Sequence, residues 1–319
     1  MRVIVLVMMV LLMGVGNAAE KSSDSLKVFI CGSASPLLDI KRAKACIAVI
    51  TDSEFFVFDT GSGSGGRLSA GGLPLPKLSG VVFTHFHSDH ISDVYNINLT
   101  SWAFGRKYPL PVYGPEGIHR VVNGMNDAYA LDRGYRVAHH GELLDPEHGL
   151  LIARPIETGR FYQRGDFSIT AIPVDHNPIE PAFGYRVDYA DRSVVISGDA
   201  VVSKHLMEAS EGVDLLLHDA LSSKMILGAS SRAAKAGKAQ VAQILKDVLS
   251  YHAHTQDIAE AARAADVKQL AFYHMVPPPR TPEAESLFME GVPSDVLLTE
   301  DLMWFELPRD SEELIVTRP

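Results

Sequence analysis

The sequence predicts an α/β domain in which two β-sheets pack face to face with helices on their outer sides. Three observations carry this. Short apolar segments bounded by Gly-rich turns crowd the first hundred residues, at Val28–Cys31, Cys46–Ile50, Phe55–Phe58 and Val81–Thr84. A second set, Phe167–Pro173, Gly184–Tyr189, Ser193–Ser197 and Asp214–Leu217, follows a less regular stretch, so that each half of the chain supplies one β-rich unit. Two segments then switch to helical spacing: Val241, Ile244, Leu245, Val248 and Leu249, and later Ile258, Ala261, Ala262 and Ala265. A strand, Gln269–Tyr273, follows them.

Taken in order, the first eighteen residues read as targeting. Arg2 precedes the unbroken apolar run Val3–Met13, and Gly16 and Ala18 flank Asn17, which suits cleavage after Ala18 or Ala19. A retained anchor is the rival, but the run is short for a bilayer and no second hydrophobic segment follows. The expectation is therefore a signal peptide over 1–18, a mature domain over 19–319, a periplasmic or secreted location, and no stable membrane insertion after cleavage. Cys31 and Cys46 lie in two strands of the first unit. They suit a cross-strand disulfide in an oxidising compartment or two buried thiols, and the sequence leaves both open. The stretch Gly61–Gly72 reads as a mobile loop around Arg67. Residues 115–165, with His139 and His140, read as an insertion with some helix that covers the site. Thr255 is a plausible N-cap for the second helix.

At 319 residues the chain can bury a substantial core, and no linker, low-complexity segment or short repeat divides it. Its 29 basic and 39 acidic residues give a net charge of −10, which makes nucleic acid an unfavoured partner. A small anion remains compatible, because a bound metal would supply the positive charge.

The strongest chemical signal is Thr84-His85-Phe86-His87-Ser88-Asp89-His90. Four potential donors fall within six residues, directly behind an apolar strand. A tight turn at a strand end fans such side chains outward, and neutral imidazole with carboxylate offers a borderline-soft divalent ion the N and O donors it prefers.

An H-x-H-x-D-H segment after a strand resembles the metal motif of the metallo-β-lactamase superfamily, whose fold is a four-layer αββα sandwich. Asp59 in Phe-Asp-Thr-Gly resembles the family's early supporting aspartate, His176 the third histidine of the first metal, Asp199 the bridging carboxylate and His274 the last histidine. The resemblance implies two divalent metal ions, zinc by the donor set: one held by His85, His87 and His176, the other by Asp89, His90 and His274, with Asp199 between them. It implies hydrolysis by a bridging water that Asp89 orients or deprotonates. His87, where the di-iron oxidoreductase branch has Glu, agrees with hydrolysis.

Finer features, Gly32-Ser33-Ala34-Ser35-Pro36, Gly184-Tyr185-Arg186, His218-Asp219-Ala220 and His254-Thr255, resemble the ribonuclease Z and arylsulfatase branch. His254 is then the implied proton donor to the leaving oxygen, with Asp219 in place of the family's Glu. Ribonuclease Z carries a long arm between the third histidine and the bridging aspartate, whereas His176 and Asp199 are 23 residues apart here. The favoured expectation is therefore an exported hydrolase of a small-molecule phosphodiester or aryl-sulfate ester. A lactonase, a ribonuclease Z-type endoribonuclease and a non-catalytic zinc-binding envelope protein are the alternatives, and a homodimer stays open. His119, His139, His140, His148 and His205 read as ordinary surface residues. Trp102, Tyr129 and Phe161 suit an aromatic pocket or simple packing, with packing the default.

Overall fold

The computed structural model describes residues 24–37 and 39–319; the signal-peptide expectation falls outside them. In chain order the strands are β1 Ser25–Gly32, β2 Cys46–Ile50, β3 Phe55–Phe58, β4 Gly80–Val82, β5 Leu110–Gly114, β6 Leu151–Pro155, β7 Gly159–Arg164, β8 Phe167–Pro173, β9 Phe183–Tyr189, β10 Arg192–Ile196, β11 Leu215–Leu221, β12 Leu270–Val276, β13 Leu297–Leu298, β14 Trp304–Pro308 and β15 Ile315–Thr317. They form two sheets. One runs β15-β14-β1-β2-β3-β4-β5-β6 and the other β13-β12-β11-β10-β9-β8-β7.

Alternation along the strands builds the layers. In β1, Leu26, Val28 and Ile30 enter the core between the sheets, where they join Phe56, Phe58, Phe167, Tyr185 and Leu217. Phe56 stacks on Phe167 across that interface, with ring centroids 5.7 Å apart. Phe29 and Cys31 point the other way, toward Leu68, Val94, Ile97 and Val122 on the helices outside the first sheet. The second sheet turns Val195, Leu216 and Phe272 outward against Leu206, Ile258, Ala262 and Phe288. Helix, sheet, sheet, helix is the four-layer sandwich that the resemblance implied. Among the described residues no helix is long and apolar enough to cross a membrane.

Three local expectations are corrected or settled. The stretch Gly61–Gly72 is no mobile loop: it contains the helix Ser64–Ala70, held by buried Leu68 and by Arg67, whose guanidinium lies 2.9 Å from Asp301. Tertiary contacts of that kind override weak local propensity. Residues 115–165 are not an insertion. After the helices Ile118–Ala128 and Ala130–His140 they supply β6 and β7, the last strands of the two sheets. β7 is half-exposed and polar, and β6 is a short apolar run that ends in an exposed Arg and Pro, so neither carries a long hydrophobic signal. Cys31 and Cys46 are joined as a disulfide between β1 and β2.

Candidate metal centre

The loop after β4 delivers the first group of donors. His87 occupies the N-cap position of the short helix Ser88–Ile91, which carries Asp89 and His90. Phe83 and Thr84 separate the strand from His85, and Asp59 pins this start: it accepts from the Thr84 amide and hydroxyl, each at 2.9 Å. The second sheet supplies the facing group from strand ends. His176 follows β8 and Asp199 follows β10. Gly198 before it has φ +64, and a Cβ there would sit 2.8 Å from the Phe183 carbonyl oxygen, so this turn requires glycine. His274 is the extra residue of a bulge in β12, where the pairing passes from Asp219↔Tyr273 to Ala220↔Met275. Its φ of +42 is unusual for a non-glycine residue and turns the imidazole into the site.

The fold brings all seven residues proposed as ligands to one place, in two clusters. In the first, His85 Nε2 lies 2.8 Å from His87 Nδ1, His176 Nε2 lies 3.5 Å from the same atom, and Asp199 Oδ2 is 4.0 Å from His85 and 3.9 Å from His176. In the second, Asp89 Oδ2 lies 3.6 Å from His90 Nε2 and 3.2 Å from His274 Nε2. Asp199 reaches both clusters, with Oδ2 3.3 Å from His90 Nε2 and Oδ1 3.2 Å from His274 Nδ1. His90 Nε2, His274 Nδ1 and Asp199 Oδ1 are buried without a competent hydrogen bond.

The outer nitrogens are spoken for. His90 Nδ1 donates to Asp59 Oδ2 at 2.7 Å and His176 Nδ1 to the Tyr251 carbonyl at 3.0 Å, so each ring turns its other nitrogen, Nε2, toward the cluster. Asp59 therefore ties the first strand-end loop to the second cluster. Burial pushes the His85 imidazolium well below its ordinary range, with neighbouring His90 adding to this. Burial opposes charge on His90 as well, but Asp199 and Asp59 outweigh it and hold its pKa well above the ordinary value. Burial would raise Asp199, yet His274 and His90 keep its carboxyl well below the usual range.

His254 is not at this centre. Its Nδ1 meets Ser223 Oγ at 3.0 Å, and it lines a separate cavity of about 460 Å³ with Ser223, Lys224 and Gln256. The histidine that faces the cluster is His252, two residues earlier. Its Nδ1 lies 2.8 Å from Asp219 Oδ2, and it groups with Asp199 and His274. The reason is the helix start: Thr255 opens the helix and His254 occupies its N-cap, its backbone bridged to Leu221 at the end of β11, while His252 reaches Asp219 two residues earlier on that strand. Two histidines stand in Tyr251-His252-Ala253-His254, and in sequence a Thr at 255 favours the one beside it.

None of His119, His139, His140, His148 and His205 joins a metal-ligating group among the described residues. Trp102 is buried with its indole N–H on the Asp145 carbonyl, Tyr129 stacks on Tyr95 at 3.5 Å, and Phe161 packs against the inter-sheet core. Packing is thus the role of all three.

A family model described as a beta-lactamase superfamily domain matches residues 56–275. The chain is 32% identical over 255 residues to a protein named ribonuclease Z from Mycobacterium sp. strain KMS, an alignment covering 79% of this chain and 85% of that one. In structure it resembles the metallo-beta-lactamase fold protein YhfI of Bacillus subtilis, with a TM-score of 0.65, 16% identity, and coverage of 89% of this chain and 100% of that one. It also resembles the short form of human tRNase Z, with a TM-score of 0.62, 18% identity, and coverage of 88% and 99%. The chain belongs to the metallo-β-lactamase superfamily, in the branch that holds its ribonuclease Z relatives.

Proposed function

We propose that this protein is a binuclear metal-dependent phosphodiesterase. The single observation that carries the proposal is the seven-residue double cluster with Asp199 reaching both halves. The donor set fits two divalent ions, zinc by preference: Asp59 and the Tyr251 carbonyl take the outer nitrogens of His90 and His176 and leave Nε2 of each to face an ion, and three buried polar atoms lack a competent hydrogen bond. His85, His87 and His176 would hold one ion, Asp89, His90 and His274 the other, and Asp199 both. Bound there, the ions would acidify a water and draw charge from the phosphoryl oxygens, opening phosphorus to that water.

The chain's own groups supply the rest. Asp89, which lines the cavity 3.2 Å from His274 Nε2, would orient that water and accept its proton. His252 takes the role expected of His254. Asp219 holds its Nδ1 proton, so the other ring nitrogen faces the cavity and can deliver a proton to the departing oxygen.

The name ribonuclease Z denotes cleavage at phosphorus, and a relative at 32% identity supports a phosphodiester over the sulfate ester weighed beside it. That relative equally favours a second reading, cleavage of RNA, against the expectation that nucleic acid is not a partner. The 23 residues from His176 to Asp199 are filled by β9, β10 and their turns, which leaves that reading without the arm. Export stays part of the proposal, supported by the Cys31–Cys46 disulfide and the pattern of residues 1–18. The test is a turnover panel on the zinc-loaded protein with bis-p-nitrophenyl phosphate, p-nitrophenyl sulfate, a simple lactone and a transfer-RNA precursor. The diester should be the best small substrate, and activity should vanish with a chelator and return with zinc. Preference for the sulfate or the lactone would overturn the reading.

A further inference from the structure

The cavity over the metal centre, about 380 Å³, has two unlike walls. One is polar and carries His87, Asp89, His176, Asp199 and His252. The other is aliphatic: Ile226, Ile244, Leu245, Val248 and Val276. This second wall comes mainly from two helices, Ser223–Lys235 and Ala239–Asp247, that stand in the chain between β11 and the helix bearing Thr255. Its base is fixed, because Ile226 and Val276 are buried with Leu221 and receive Leu245 and Val248. Its rim is not covered: Ile244 stays 52% exposed. No Lys or Arg lines the cavity among the described residues.

We infer that the aliphatic wall binds a hydrocarbon group of the substrate, so that the protein acts on phosphate diesters carrying an alkyl chain or similar apolar group rather than on polynucleotides. The inference rests on the phosphodiesterase reading above. Apolar side chains that line a cavity beside the reacting centre stay wet until a ligand covers them, and a hydrocarbon gains by leaving water there. A polynucleotide would instead lay further phosphates along a wall that offers no cation to receive them. The reaction is plain hydrolysis: water's oxygen bonds to phosphorus, one P–O bond breaks, and the freed alcohol leaves with a proton, so no other reactant is required.

The test is a series of alkyl p-nitrophenyl phosphate diesters with methyl, butyl and octyl chains, in which p-nitrophenolate departs from every member. Full burial of a methylene corresponds to about fourfold in kcat/KM. A wall covering one side of the chain should give about twofold for each, until the cavity is filled. Ile244→Asn and Leu245→Asn should each lower the octyl-to-methyl ratio at least several-fold. Calorimetry provides a second readout: octylphosphonate should bind more tightly than methylphosphonate, and both variants should shrink the gap. Equal kcat/KM for the methyl and octyl diesters overturns the inference, as does a transfer-RNA precursor cleaved with a higher kcat/KM than the octyl diester. If no diester is hydrolysed, the phosphodiesterase reading fails, and the phosphonate comparison then decides the apolar wall by itself.

Discussion

The two sheets contribute to the candidate metal centre in opposite styles. The first sheet gives His85, His87, Asp89 and His90 from one loop, behind one strand and clamped by one aspartate. The second gives His176, Asp199, His252 and His274 from separate strand ends and loops, each set by its own backbone device: a glycine turn before Asp199, a bulge at His274, a helix start after His252. A compact loop tolerates no shift of one donor without the others, whereas dispersed donors depend on the packing that brings their strands together. The first style is easy to read in a sequence. The second is where assignments can slip.

The comparison breaks most severely at the residue that joins the two groups. Asp199→Ala removes the carboxylate that reaches both clusters, so metal content and diester hydrolysis should fall together, activity by at least about 10³-fold. Retention of both metals with full activity would mean that the second sheet does not complete the site.

A smaller effect separates His252 from His254. With His252 as proton donor, His252→Ala should keep both metals and lose about 10²- to 10⁴-fold on esters of alkyl alcohols, with much less loss on nitrophenyl esters, whose phenolate departs unassisted. His254→Ala should stay within a few-fold of the parent protein on both. The reverse pattern would return the role to His254 and require its loop to rearrange.

The smallest expected effect lies on the first sheet. Asp59→Ala leaves every proposed ligand in place but frees His90 Nδ1 and the Thr84 amide. Metal affinity should drop about 10- to 100-fold, measured by competition with a chromogenic chelator, while saturating zinc restores most of the rate. An unchanged affinity would show that the loop holds its donors without the aspartate.

These contrasts also explain what the sequence disclosed. The Thr84–His90 loop was legible because its donors are contiguous, and chain order pointed to His176, Asp199 and His274, which the fold gathers beside it. The sequence pointed to His254 rather than to His252, which lines the cavity, because placing two histidines two residues apart depends on where a helix begins, and the N-cap is His254 rather than Thr255. The inner strands β2 and β3 showed as apolar runs because both their faces are buried. β7 and β14 did not: β7 is half-exposed to exposed throughout, β14 alternates between half-exposed and covered, and the partner of β14 is β1, at the far end of the chain. The helix Ser64–Ala70 was hidden for a related reason: its stability comes from Leu68 and from Asp301, more than two hundred residues away.

The central claim is a two-metal centre that hydrolyses a phosphodiester, and elemental analysis of the purified chain, paired with bis-p-nitrophenyl phosphate turnover before and after chelation, tests it most directly. The account predicts about two metal ions per chain, loss of turnover as they are stripped, and recovery as zinc is restored. A chain that hydrolyses the diester at full rate without metal would contradict it.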